Sequence, residues 1–295
     1  MGGGLTIAQQ EAFFACERIA RAADENFSVV TRIVPKHLRP HFASIYAFAR
    51  GVDELGDAYA GDRMQALAEW ERQLHLCYDG APTVDVFVAL QVSVRAFGLA
   101  RDDFLKLIEA NRMDQRGLRY KTMEDLKMYC RHSADPVGHL VLALFGFVDS
   151  PRQAMSDDTC TGLQIANFLQ DLERDSLAGR CYIPEEILAQ EGLTPSDLPA
   201  RRGDARIQAV VRCMAHSTEQ LFASGARLEA IVPYRLRLQL RMYRMGGEAV
   251  LEALRAQAFD PFAGRPRISR AKKFSIALAA CVPQAGLARE ASDDV

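Results

Sequence analysis

Tyr46-Ala47-Phe48-Ala49-Arg50-Gly51-Val52-Asp53-Glu54-Leu55-Gly56-Asp57 decides the fold of this chain. An α-helix turns about 100° per residue, so positions three and four apart share a face. Tyr46, Arg50, Asp53 and Asp57 then form one polar stripe, with Ile45, Phe48, Ala49, Val52 and Leu55 beside it. A helix apolar over so much of its circumference is a buried helix. Its polar stripe must face a cavity, a partner or an ion. Taken alone, the stripe could also be a solvated acidic edge closed by an Arg50–Asp53 or Arg50–Asp57 pair.

A second segment repeats the design. In Gln164-Ile165-Ala166-Asn167-Phe168-Leu169-Gln170-Asp171-Leu172-Glu173-Arg174-Asp175, the side chains of Gln164, Asn167, Asp171 and Asp175 share a face among apolar neighbours. Two such helices facing each other would present four carboxylates and two amides to one space. Oxygen donors of this kind suit Mg²⁺, which keeps several waters and bridges carboxylates to a phosphate. A diphosphate ester is the natural third party, because metal can neutralise the leaving group as the C–O bond ionises.

The rest of the chain supports an all-α fold. Period-3.6 patterns predict helices at roughly 7–23, 37–60, 62–78, 84–97, 101–115, 122–132, 135–147, 156–176, 203–230, 232–244 and 247–258. Proline and glycine clusters, including Pro151 and Gly246-Gly247, read as breaks between them. The long connection 178–202, rich in Pro, Gly and charge, reads as a flap. No repeat or low-complexity linker divides the chain. It is therefore expected to form a single domain over 1–295, with loose ends at about 1–6 and 286–295.

Composition excludes several function classes. The chain has 295 residues, 49% hydrophobic and 25% charged, with a net charge of −2, so no global field favours nucleic acid. Seven scattered cysteines without a Cys-x-x-Cys pair fit free thiols in a reducing cytoplasm. Met1-Gly2-Gly3-Gly4-Leu5-Thr6 fits the loose N-myristoylation pattern but reads as a flexible start. No stretch reaches the roughly 20 apolar residues of a membrane span. The basic cluster Arg265, Arg267, Arg270, Lys272 and Lys273 beside the apolar run 274–282 leaves three readings open: diphosphate contact, peripheral membrane contact, or a solvated helix end. The six histidines show no zinc-site spacing, and His132 and His139 read as core or surface.

At the two acidic segments the chain resembles the squalene/phytoene synthase family over about residues 20 to 270. Tyr46-Ala47-Phe48-x-Arg50-x-x-Asp53-x-x-x-Asp57 is similar to that family's first aspartate-rich signature. Asn167-x-x-x-Asp171-x-x-x-Asp175 with Gly179-Arg180-Cys181-Tyr182-Ile183-Pro184 is similar to the second. Tyr129-Cys130-x-x-x-Ala134-x-x-Val137-Gly138 matches the mid-chain helix pair. The resemblance implies an isoprenoid-synthase helical bundle around a central apolar cavity, Mg²⁺ and a prenyl diphosphate substrate. It implies Asp53, Asp57, Asp171 and Asp175 as metal ligands assisted by Asn167, and Arg50 and Tyr46 at the diphosphate. Tyr129 falls near the reacting carbons, with Asn26, Phe27, Gln164, Val137 and Tyr243 as further substrate contacts. Phe27, Phe42, Tyr129, Phe145 and Phe168 are candidates for the wall around a cation, or plain core.

One departure narrows the expectation. Family members that join two diphosphates carry a Ser-x-Ser-Phe element where this chain has Asp24-Glu25-Asn26-Phe27. Acids there would repel a second diphosphate. The element looks most like the hydroxysqualene synthase branch of the hopanoid route, whose substrate is presqualene diphosphate and which needs no NADPH. The alternatives are a head-to-head prenyl transferase acting on farnesyl or another allylic diphosphate to make presqualene diphosphate, dehydrosqualene or phytoene, and a non-catalytic assembly factor. The residue that positions the water is not legible.

Overall fold

The computed structural model of the protein describes residues 4–22, 33–199 and 202–281. The element Asp24–Phe27, with its candidates Asn26 and Phe27, lies outside the described residues, as do 1–3 and the expected loose end 286–295. Thirteen α-helices and short 3-10 turns, with no strand, make up the regular structure among the described residues.

The helices are α1 Ile7–Ala22, α2 Arg39–Asp57, α3 Arg63–Asp79, α4 Asp85–Phe97, α5 Arg101–Gln115, α6 Met123–Ser133 and α7 Asp135–Leu144. They continue with α8 Ser150–Gln170, α9 Leu172–Leu177, α10 Glu185–Gln190, α11 Ala205–Gly225, α12 Tyr234–Ala256 and α13 Arg270–Ala280. Local chemistry sets many of the ends. Asp62, Thr122, Asp149, Asp204 and Ser269 each accept a backbone N–H at a helix start. Gly98 closes α4 in the left-handed conformation at φ 62°.

Two apolar clusters carry the packing. One joins α1, α2, α3, α4 and the first part of α5 around Phe48, Phe87 and Phe104. Phe48 meets Phe104 edge-on at 4.9 Å and Phe87 at 5.8 Å. The other joins α6, α8, α10, α11 and α12 around Ile165, Val211 and Phe222. The buried apolar residues of α2 belong to the first cluster and those of α8 to the second.

The structure corrects four boundary expectations. Pro151 does not precede α8; it sits in its first turn, where the missing N–H is no loss, and Asp149 caps the helix. The expected helix 156–176 is two helices joined at Asp171, whose φ of −103° and ψ of 11° leave the α region. The stripe survives, because Asp171 N–H still donates to Asn167 O at 2.9 Å and Asp175 N–H to Asp171 O at 2.9 Å. Gly246-Gly247 does not break the chain: α12 runs through both. A Cβ on Gly247 would lie 2.4 Å from Phe222 Cζ, so this glycine allows two helices to approach closely. Finally, 178–202 is no flap among its described residues. Tyr182, Ile183, Ile187, Leu188, Leu193 and Leu198 are buried in the second cluster.

Candidate active site

A cavity of about 250 Å³ opens where α2, α5, α6, α7, α8 and α9 meet. Asp53 and Asp57 reach it from α2, and Gln164, Asn167, Phe168, Asp171 and Asp175 from α8 and α9. Tyr129 and Val137 line it as well. The two acidic stripes therefore face one space. Arg50, Tyr46 and Tyr243 are not among the lining residues. Arg50 is exposed, though close enough for its charge to favour ionised Asp53. Tyr46 is half-buried against the first apolar cluster. Tyr243 lies on α12 with Gln239 Nε2 donating to its Oη at 3.4 Å. Of the other wall candidates, Phe168 lines the cavity, whereas Phe42 and Phe145 meet each other edge-on at 6.4 Å in the core.

Several lining residues carry no signal strong enough to be picked from one sequence. Asn111 and Asp114 reach the cavity from α5, and Ser133 from the last turn of α6. The approach of α5 to α2 depends on Gly56, where a Cβ would lie 1.9 Å from Asn111 Oδ1. Asn111 Nδ2 then comes within 3.5 Å of Asp53 Oδ1. Asp114 is gripped by two phenols: Tyr129 Oη donates to it at 2.7 Å and Tyr182 Oη at 3.0 Å. Arg180 and Tyr182 stood inside the Gly179–Pro184 motif and could have been read from it; Asn111 and Asp114 resemble an ordinary charged helix face.

The rings around Asp114 form an aromatic wall. Phe168 and Tyr182 stack at 4.0 Å with an interplanar angle of 5°, and Tyr129 lies 5.7 Å from Tyr182 and 6.1 Å from Phe168. Burial, reinforced by the charge of Asp114, pushes the Tyr129 and Tyr182 phenols well above their ordinary range, so both stay protonated and donate.

Guanidiniums meet three of the four stripe aspartates. Arg180 Nη1 lies 2.8 Å from Asp57 and its Nη2 3.4 Å from Asp175, bridging the two acidic helices. Arg174 lies 3.0 Å from Asp171 and 3.2 Å from Asp175. Arg265 Nε reaches Asp171 Oδ1 at 2.5 Å from the loop before α13. Among the described residues, Asp53 has no such guanidinium contact. Crowding by protein atoms pushes the Asp53 carboxyl up to about 6, against the Asn111 hydrogen bond that favours the anion, even though its surface is open to the cavity. Burial likewise raises Asp114 and Asp175.

Among the described residues, no three acidic, histidine or cysteine side chains stand close enough to form a metal cage unaided. The donor set nevertheless fits a hard divalent cation: four carboxylates and the Asn167 amide, all oxygen. Mg²⁺ is held by one or two carboxylates plus phosphate oxygens and water rather than by a closed protein cage.

The family model for squalene/phytoene synthase matches residues 20–272. The chain belongs to the squalene/phytoene synthase family. This member's fold is close to the crystal structure described as squalene synthase HpnC from Alicyclobacillus acidocaldarius, with TM-score 0.83 and 49% identity over 88% of this chain and 98% of that one. It is 31% identical to hydroxysqualene synthase of Rhodopseudomonas palustris over 82% of each chain. It is 28% identical to presqualene diphosphate synthase of the same organism, over 87% of this chain and 93% of the other.

Proposed function

We propose that this family member is a hydroxysqualene synthase, which ionises presqualene diphosphate with Mg²⁺ and lets water capture the cation to give hydroxysqualene and diphosphate. The observation that carries this function is a single cavity lined by carboxylates, guanidiniums and a stacked aromatic wall. The 31% identity to a hydroxysqualene synthase supports it, and the 49% identity to the squalene synthase HpnC supports the same class of prenyl diphosphate substrate. So does the Asp24-Glu25-Asn26-Phe27 element, which disfavours a second diphosphate.

Mg²⁺ held by Asp53, Asp57, Asp171, Asp175 and Asn167 would neutralise diphosphate charge as the C–O bond breaks. Arg174, Arg180 and Arg265 add positive charge beside the same carboxylates. The C–O electron pair leaves with diphosphate, and the cyclopropylcarbinyl cation rearranges and opens. Tyr129, Phe168 and Tyr182 present ring faces and edges that stabilise positive charge while limiting the entry of water. Water then forms the new C–O bond, and its proton passes to the departed diphosphate. Water capture needs no hydride donor, so NADPH is not required.

A condensing reaction from farnesyl diphosphate is the second reading, supported by the 28% identity to a presqualene diphosphate synthase. The purified protein, incubated with Mg²⁺ and no NADPH, separates the two. A C30 alcohol from presqualene diphosphate is the expected product. Conversion of farnesyl diphosphate to a C30 product instead would refute the proposed function.

A further inference from the structure

A phenol carries one proton, which swings about the C–O bond to whichever acceptor lies near. Beside a carbocation that direction matters, because an O–H dipole with its proton toward positive charge opposes it. The carboxylate of Asp114 takes the proton of both phenols in the aromatic wall. Tyr129 Oη donates to its Oδ2 at 2.7 Å and Tyr182 Oη to its Oδ1 at 3.0 Å, so each carboxylate oxygen holds one phenol.

Asp114 differs from the other acids that line the cavity. Asp57, Asp171 and Asp175 meet guanidiniums, and Asp53 meets Asn111. Among the described residues, the side chains that hydrogen-bond Asp114 are the two phenols. It stands in the last turn of α5, outside both acidic stripes, and is only partly buried. Burial works against its charge, whereas the two phenols and the charge of Arg180 favour it. Neighbouring rings hold the planes of the phenols: Tyr120 lies 5.5 Å from Tyr129 and 6.1 Å from Tyr182, and Phe168 stacks on Tyr182 at 4.0 Å. Stacking fixes a ring but not its proton, so the direction of both O–H bonds is left to Asp114.

We infer that Asp114 is a positioning residue that draws both phenolic protons to itself, so that Tyr129 and Tyr182 meet the cation as aromatic rings with no O–H proton to spare. This role rests on the proposed hydroxysqualene synthesis. No bond to Asp114 forms or breaks, and its carboxylate acts through the two tyrosines.

A double-mutant cycle separates this role from the charge of Asp114 and from a general loss of packing. Asparagine has one acceptor oxygen for two phenols, and its NH₂ confronts the second as a donor. Wild type, Asp114→Asn, Tyr182→Phe and the double variant would be given presqualene diphosphate and Mg²⁺ at a temperature where circular dichroism shows each folded. Wild type should form the C30 alcohol; its absence overturns both the proposed reaction and this role for Asp114. With alcohol formed, Asp114→Asn should lower kcat about tenfold, the scale of one hydrogen bond to a charged group, with KM little changed. In the Tyr182→Phe background one acceptor suffices for the remaining phenol, so the same change should cost less than about threefold. Equal losses with and without the Tyr182 hydroxyl would assign the effect to the carboxylate's charge and overturn the inference. Wild-type kcat in Asp114→Asn would overturn it too, and both results leave the proposed reaction standing. If Asp114→Asn alone does not fold, Tyr182→Phe against the double variant decides: a loss under about threefold supports the role, and one near tenfold overturns it.

Discussion

Both ring nitrogens of His139 face carboxylates. Nδ1 lies 3.1 Å from Asp103 on α5 and Nε2 2.7 Å from Asp157 on α8, with Lys106 Nζ 3.9 Å from Asp103. Burial alone would lower the imidazole, but the two carboxylates outweigh it and push it up to about 9. Because that folded value lies above the ordinary 6.5, the stabilisation is complete below about pH 6.5 and is lost as pH rises through about 9. The melting temperatures of wild type and His139→Gln should therefore differ most near pH 6 and converge toward pH 10. A gap that stays constant across that range would show that the imidazolium is not its source. This clamp ties together three helices that line the cavity, yet it was invisible in the sequence. Its partners lie 36 and 18 positions away, where no helical spacing can point to them. Asp114 escaped for the same reason, since its meaning comes from Tyr129 and Tyr182, 15 and 68 positions on. The four aspartates were legible because each stripe declares itself within a dozen residues.

At the scale of the element, α12 shows where helical periodicity stops being informative. Gly246 and Gly247 together look like a terminator, but their surroundings differ. A Cβ on Gly246 meets nothing within 4 Å. A Cβ on Gly247 would lie 2.4 Å from Phe222 Cζ and 2.9 Å from Leu163 Cδ2. The neighbours that forbid a side chain at Gly247 belong to α8 and α11, so only the folded structure separates the two glycines. Adjacent substitutions should have opposite signs. Gly246→Ala gains helix propensity and should stabilise by up to about 1 kcal/mol. Gly247→Ala must force Phe222 or Leu163 aside and should destabilise by about 1–3 kcal/mol. Thermal unfolding reads both, at about 2–4 °C per kcal/mol for a chain near this size. Equal shifts for the two variants would mean that α12 and Phe222 are not packed as described. Pro151 makes the same point at a helix start, since one proline is compatible with a break and with a first turn until Asp149 is seen capping it.

Across the whole molecule the chain is nearly neutral, but the cavity concentrates charge of both signs. Asp57, Asp171 and Asp175 each meet at least one guanidinium, brought from α9, from the segment after it and from the loop before α13. Arg265 reaches Asp171 across 94 positions of sequence. These arginines occupy the carboxylates that Mg²⁺ would use, and they carry the charge that diphosphate would seek. Removing one should therefore act in opposite directions on the two ligands. Arg265→Gln frees Asp171 from a competing cation that is itself about half exposed, so the pair contributes no more than about 1 kcal/mol. Mn²⁺ titrated into the variant without diphosphate, followed by electron paramagnetic resonance, should bind up to about fivefold more tightly than in wild type. With Mn²⁺ saturating, inorganic diphosphate should bind more weakly, because a charge-assisted donor has been lost. Weaker Mn²⁺ binding in Arg265→Gln would mean that Arg265 supports the acidic site rather than competing for it. Unchanged diphosphate binding would place the anion away from the loop before α13.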